Sequence, residues 1–164
     1  MILNDIKKSR GVSLLELLVV VGVVSIGLVY LLGIFSFALK IAASEKLLIQ
    51  ANFLAEEAME GVRNFRDRTN WHTDGLGVID TSTVYHLEKT GLPPEWNLIS
   101  GEKTIDGFTQ KIVFDDVRRD SNDDITESGG TIDSNTKKIT ITISWQERGE
   151  DKEIELVGFL TNWK

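Results

Sequence analysis

A single carboxylate stands where the sequence can least tolerate one. Glu16 falls inside an apolar run made of Val12, Leu14, Leu15 and residues 17–21. An ionised side chain in hydrocarbon costs on the order of 2.5 to 3.5 kcal/mol, so such a group usually has a partner and a role. Val19 and Val20 occupy the positions three and four residues on, and Arg10 lies outside the run, so no helical neighbour can neutralise it. The chemistry required is a charge pair, with a cation that is created or brought from elsewhere.

A second group of candidate ligands lies in the acidic connection at residues 115–133. Asp120, Asn122 and Asp124 place oxygen side chains at alternate positions, as a calcium loop begins. Ile125 stands at the sixth position, where an EF-hand turn needs glycine, and Thr131 at the twelfth, so this is not an EF-hand. A simpler calcium clamp of those three residues competes with a solvated acidic loop, and no other cofactor is indicated. The chain has no cysteine, and His72 and His86 lack metal-ligand or triad-like spacing, which argues against an enzyme.

The elements that must position these residues are legible from the hydropathy pattern. Residues 17–39 carry no charge, and their only polar side chains are Ser25, Tyr30 and Ser36. As a helix this stretch covers roughly 34 Å, enough to cross a hydrocarbon core of about 30 Å. Lys7, Lys8 and Arg10 precede it, which puts the N-terminus in the cytoplasm and everything after Lys40 outside. Ala42, Ala43 and Ser44 could mimic a secretory cleavage site, but the helical pattern runs straight through them. Beyond Lys40 the apolar positions Leu47, Ala51, Leu54, Ala58, Val62 and Phe65 recur in steps of three and four, a helical stripe.

The order of these features has a family likeness. Lys7-Lys8-Ser9-Arg10-Gly11-Val12-Ser13-Leu14-Leu15-Glu16-Leu17-Leu18-Val19-Val20-Val21 closely resembles the leader and N-terminal helix of bacterial type IV prepilins and type II secretion pseudopilins. The resemblance implies cleavage between Gly11 and Val12 by a prepilin peptidase, and N-methylation of Val12. It also implies that Glu16 faces the N-terminal amine of a neighbouring subunit. An α-amine with a pKa near 8 is largely charged at neutral pH and would be the missing cation. Val12 and Ser13 stand where phenylalanine and threonine are commonest in the family. Many major pilins carry a proline later in the apolar helix, whereas this chain has Gly22, Gly27 and Gly33. Residues 54–63 resemble the corresponding part of minor pilins and pseudopilins.

The resulting organisation is a basic leader at residues 1–11, a transmembrane or filament-core helix at 12–40, an amphipathic helix at 41–65, and an outer domain at 66–164. In the outer domain strands are expected at residues 83–87, 108–117, 138–145 and 153–160. A stop is expected at Leu92-Pro93-Pro94 and a hairpin turn at Arg148-Gly149-Glu150-Asp151. The fold class is α+β, with the long helix packed on three or four antiparallel strands, as in pilins. Trp145, Phe159 and Trp163 are expected in or beside that sheet. The formal charge of −7 argues against nucleic acid as a partner, and against a DNA-binding competence role.

The function expected is that of a filament subunit, a minor pilin or pseudopilin. Its partners would be other subunits, the peptidase, membrane lipid before assembly, and the assembly platform. Its location would be the cytoplasmic membrane, then a surface or periplasmic filament. The alternative in another class is a single-pass, membrane-anchored binding or sensor protein, which leaves Gly11 and Glu16 to coincidence.

Overall fold

The computed structural model describes residues 13–163. One helix, α1, runs over Leu14–Arg68 without a proline, and a short 3-10 helix at Leu76–Val78 follows it. The chain forms two compact units, divided between Glu45 and Lys46. Arg66 and Arg68 in the last turn of α1 complement the negative end of the helix dipole. The helix closes at Thr69, whose N–H and hydroxyl both donate to the Phe65 carbonyl, at 3.1 and 2.8 Å.

The second unit contains seven strands in one antiparallel sheet: β1 (Tyr85–Thr90), β2 (Glu95–Ser100), β3 (Lys103–Ile105), β4 (Phe108–Arg119), β5 (Ile125–Thr126), β6 (Thr131–Glu147) and β7 (Glu150–Thr161). The main order is β2-β1-β4-β6-β7, with β3 and β5 also paired to β4. The α+β class is as expected from the sequence, but three or four strands is too few. The unexpected strands β2, β3 and β5 are short or polar, and only a partner edge makes them strands. Leu92-Pro93-Pro94 does break the chain, but only as the turn between β1 and β2.

Two tight turns set the register. Asp106-Gly107 joins β3 to β4 and Arg148-Gly149 joins β6 to β7, each with both residues at positive φ (52 and 86, then 55 and 85). This is the mirror-image turn whose twist suits adjacent antiparallel strands. Arg148-Gly149 alone makes the second hairpin, because Glu150 and Asp151 already belong to β7.

The core lies between the later part of α1 and one face of the sheet. All six residues of the expected stripe face it: Ala51, Ala58 and Val62 are buried, and Leu47, Leu54 and Phe65 pack partly buried against them. Ile139, Ile141 and Ile143 of β6 and Ile112 and Phe114 of β4 are all fully enclosed. Small residues bring the helix close: a Cβ on Gly61 would lie 2.6 Å from Leu87 Cδ1, and one on Gly158 would lie 2.8 Å from Met59 Cε.

That close approach also corrects the expectation for Phe159. Side chains alternate along a strand, so with Gly158 under Met59 and Leu160 buried, Phe159 must point to the opposite face, where it is 46% exposed. Trp145 is buried as expected, whereas Trp163 lies past the end of β7 and is 64% exposed. Buried polar groups tie the strands where ladder bonds are few. β1 meets β4 at the single pair Tyr85 and Ile112, and the Leu87 N–H beside it donates to Gln110 Oε1 at 2.8 Å. The indole N–H of Trp71 donates to the Ser134 carbonyl at 2.9 Å, tying the segment after α1 to β6.

Two ion pairs among the described residues cross from β4 to β6, one of them from Lys137 Nζ to Asp116 Oδ1 at 2.6 Å. In the other, Arg119 Nε donates to Asp133 Oδ2 at 2.7 Å, and the same oxygen accepts the Thr136 hydroxyl at 2.7 Å. Arg119, then Thr136, with help from the Asn135 N–H, hold the Asp133 carboxyl below the usual carboxylate range against the opposing effect of burial.

The core and the clamp each have a measurable consequence. In urea titrations of the full chain in detergent micelles, Ile141→Val should cost about 0.5 to 1.5 kcal/mol and Ile141→Ala about 2 to 5 kcal/mol; equal small losses would place Ile141 outside the core. A carboxyl depressed in the folded state binds fewer protons there than in the unfolded chain. Its stabilisation is therefore complete above the usual carboxylate range, begins to fall as pH enters that range, and is lost as pH falls on through the lower value of the folded carboxyl. Asp133→Asn should lower the urea midpoint near pH 7 and flatten its decline toward about pH 3; an unchanged acid limb would show that the clamp does not titrate.

Candidate functional site

Gly11 and Val12, the expected cleavage and methylation residues, lie outside the described residues. The chain becomes helical immediately after them. The Ser13 carbonyl accepts the Leu17 N–H at 3.1 Å, and Glu16 sits in the first turn of α1. A carboxylate there is favoured by the positive end of the helix dipole, by roughly 0.3 to 1 kcal/mol at exposed sites. Glu16 is exposed, and among the described residues no cation forms an ion pair with it.

The part of α1 that carries Glu16 is exposed on every side. Large apolar side chains are exposed throughout residues 14–41, from Leu14 at 77% to Ile41 at 46%. This is the single helix among the described residues that is long and apolar enough to cross a membrane. Soluble proteins do not leave an apolar surface of this extent to water, so the helix calls for lipid or other apolar helices around it. The Ser25 hydroxyl is served within the helix, its Oγ donating to the Val21 carbonyl at 2.7 Å. A Cβ on Gly22, Gly27 or Gly33 would meet nothing within 4 Å, so no contact inside the chain requires these glycines.

The acidic loop is organised by the protein's own donors. Asp120 Oδ1 accepts the Asn122 N–H at 2.8 Å and the Asp124 N–H at 3.1 Å, and the Asp120 N–H donates to the Asp124 carbonyl at 2.9 Å. Arg119 Nη1 donates to the Asp123 carbonyl at 2.8 Å while its Nε holds Asp133. Among the described residues no group of three or more His, Cys, Asp or Glu side chains is arranged to hold a metal ion. The Arg119 and Asp133 clamp leaves no signal in the sequence, since its partners are brought together only by the pairing of β4 with β6. His86 and His72 serve separate places. His86 is buried with Nδ1 at 3.1 Å from the Gly101 carbonyl, and His72 Nε2 lies 3.3 Å from Asn162 Nδ2.

Comparison with known proteins adds a match at this same segment. Residues 6–32 match the family model of the prokaryotic N-terminal methylation motif. No curated protein and no solved structure is similar enough to match. The matched residues hold the basic stretch, Gly11, Val12, Glu16 and the first half of the uncovered helix in one uninterrupted order. The chain thus carries, at residues 6–32, the N-terminal methylation motif of type IV prepilin-like proteins, together with one apolar helix long enough to cross a membrane and an antiparallel sheet.

Proposed function

We propose that this chain is a minor structural subunit of a type IV pilus-like filament or secretion pseudopilus. In this reading a prepilin peptidase cuts between Gly11 and Val12, the new amine is methylated, and Glu16 pairs with the amine of a neighbouring subunit. The observation that carries it is a lone carboxylate at the start of an uncovered apolar helix, directly behind a basic segment and inside the methylation motif. Two opposite charges a few ångströms apart attract far more strongly among apolar helices than in water, which would set subunit register. The minor assignment rests on the absence of a proline from the apolar helix and on the likeness of residues 54–63 to minor subunits.

Before assembly the apolar helix would lie in the cytoplasmic membrane with the sheet domain outside, awaiting the assembly platform. Afterwards the same surface would lie among the helices of other subunits, so one exposed face serves lipid and filament in turn. The role assigned to the chain is structural rather than enzymatic.

Two experiments test this reading. The mass of the protein purified from membranes that hold an active prepilin peptidase should correspond to a chain starting at Val12 and carrying a methyl group. An intact Met1 terminus under those conditions favours the anchored binding protein instead. Glu16→Ala should insert and be cleaved normally yet be lost from sheared filaments by about tenfold or more, the effect of about 1.4 kcal/mol in subunit affinity. Wild-type incorporation of that variant would show that the charge pair is not needed.

A further inference from the structure

β7 is an edge strand of twelve residues whose outer side meets no other strand among the described residues. Natural edges of this length are usually blunted by a proline, a bulge or a covering element. β7 has no proline, and its register with β6 runs unbroken from Glu147 and Glu150 to Thr136 and Thr161. Its one lysine, Lys152, is engaged with Glu150 at 2.6 Å.

Which backbone groups point outward follows from the turn. The two residues of a mirror-image turn are flanked by a pair that exchanges both ladder bonds, here Glu147 and Glu150. Alternation then directs the even-numbered residues of β7 to β6 and leaves the N–H and C=O of Glu153, Glu155, Val157 and Phe159 at the open edge. The Asp106-Gly107 turn gives the same parity across β4, since it assigns Phe108 to β3 and Thr109 to β6. The residues with outward backbone groups also carry the exposed side chains, among them Val157 at 48% and Phe159 at 46%.

Space lies on both sides of this edge. A groove of about 350 Å³ runs between β7 and α1, lined by Glu56, Met59, Glu60, Arg63 and Val157. A cleft of about 550 Å³ on the outer face brings Val157 and Phe159 together with Ile125 and Lys138. In the cleft Lys138 and Arg118 are outnumbered by Asp115, Asp116 and Glu127, and in the groove Arg63 is bound to Glu60, so with Glu56, Glu153 and Glu155 the carboxylates outnumber the cations around the edge.

We propose that the open edge of β7 accepts an extended segment of a partner protein as an added antiparallel strand, with lysine or arginine alternating with apolar residues. Backbone hydrogen bonds to Glu155, Val157 and Phe159 would give affinity, and the acidic surround would select a basic strand. A second copy of this chain fits poorly, because its β7 would bring the same run of carboxylates to the edge. The inference rests on the filament reading only for the identity of the partner, as another subunit of the assembly.

The test is hydrogen exchange on the full chain in non-ionic detergent, with a synthetic peptide in which lysine alternates with valine and a control in which glutamate replaces the lysine. The lysine peptide should slow exchange at Glu155, Val157 and Phe159 by about tenfold or more, while Leu156 and Gly158 are slow with or without it. Val157→Pro removes an outward N–H and no bond to β6, and should abolish the effect. The double variant E153K/E155K, which needs no backbone change, should transfer the preference to the glutamate peptide. The proposal is overturned by no binding, by binding that leaves these amides unchanged, or by concentration-dependent protection without peptide, which would make a second copy the occupant. The mass of the N-terminus reads the filament assignment separately, so the two can fail independently.

Discussion

Between Glu16 and Lys40 nothing in the chain is charged, and nothing among the described residues covers the apolar side chains. At roughly 25 cal/mol per Å² of apolar surface, such a helix has a strong drive to leave water. The remaining features can be ordered by how they answer that drive. In the proposed reading the basic residues before Gly11 would favour one orientation of the segment across a bilayer, and Glu16 would give an otherwise uniform apolar surface one polar point at which register is specified. An apolar helix alone binds its surroundings without choosing a position along them.

The same helix changes its demands further along. From Leu47 onward its apolar residues gather on one stripe, and that stripe is built largely from small side chains. Ala51, Ala55, Ala58 and Gly61 let the backbone approach the sheet, and Gly158 answers from the sheet beneath Met59. Large branched residues of β4 and β6 then supply the volume. The division of labour is physical: a thin stripe on the helix meets a thick face on the sheet, and close packing of the two fills the interior.

Much of this arrangement is legible in the periodicity of the sequence. The stripe from Leu47 to Phe65 and the alternation of Ile139, Ile141, Ile143 and Trp145 are direct imprints of one-sided burial, and both meet the core as expected. β2, β3 and β5 leave no comparable imprint, being short, half-exposed and dependent on a neighbour's edge. The Asp106-Gly107 dipeptide is a hairpin signal, but the strand before it has only three residues and does not announce itself. The face of Phe159 is hidden because Leu156, Val157, Gly158, Phe159 and Leu160 form a nearly continuous apolar run, in which parity is fixed by the register with β6 and the contact of Gly158 with Met59. Of the candidate site, Glu16 and its want of a cation are legible because hydropathy and spacing are local, whereas the Arg119 and Asp133 clamp depends on strands distant in sequence.

The connectivity of the sheet bears on the order in which the outer domain is made. β1 with β2, β3 with β4 and β6 with β7 are hairpins between neighbours in sequence, and β4 with β6 spans only the acidic loop and β5. Short loops close quickly and at small entropic cost, so a sheet of this kind can zip from its own turns. The helical stripe is translated first, yet its partner face is completed only when β7 arrives at the C-terminal end of the chain. During synthesis Ala51, Ala58 and Val62 therefore wait for a surface not yet made. Complete docking of the helix on that face must then follow the pairing of β7 with β6.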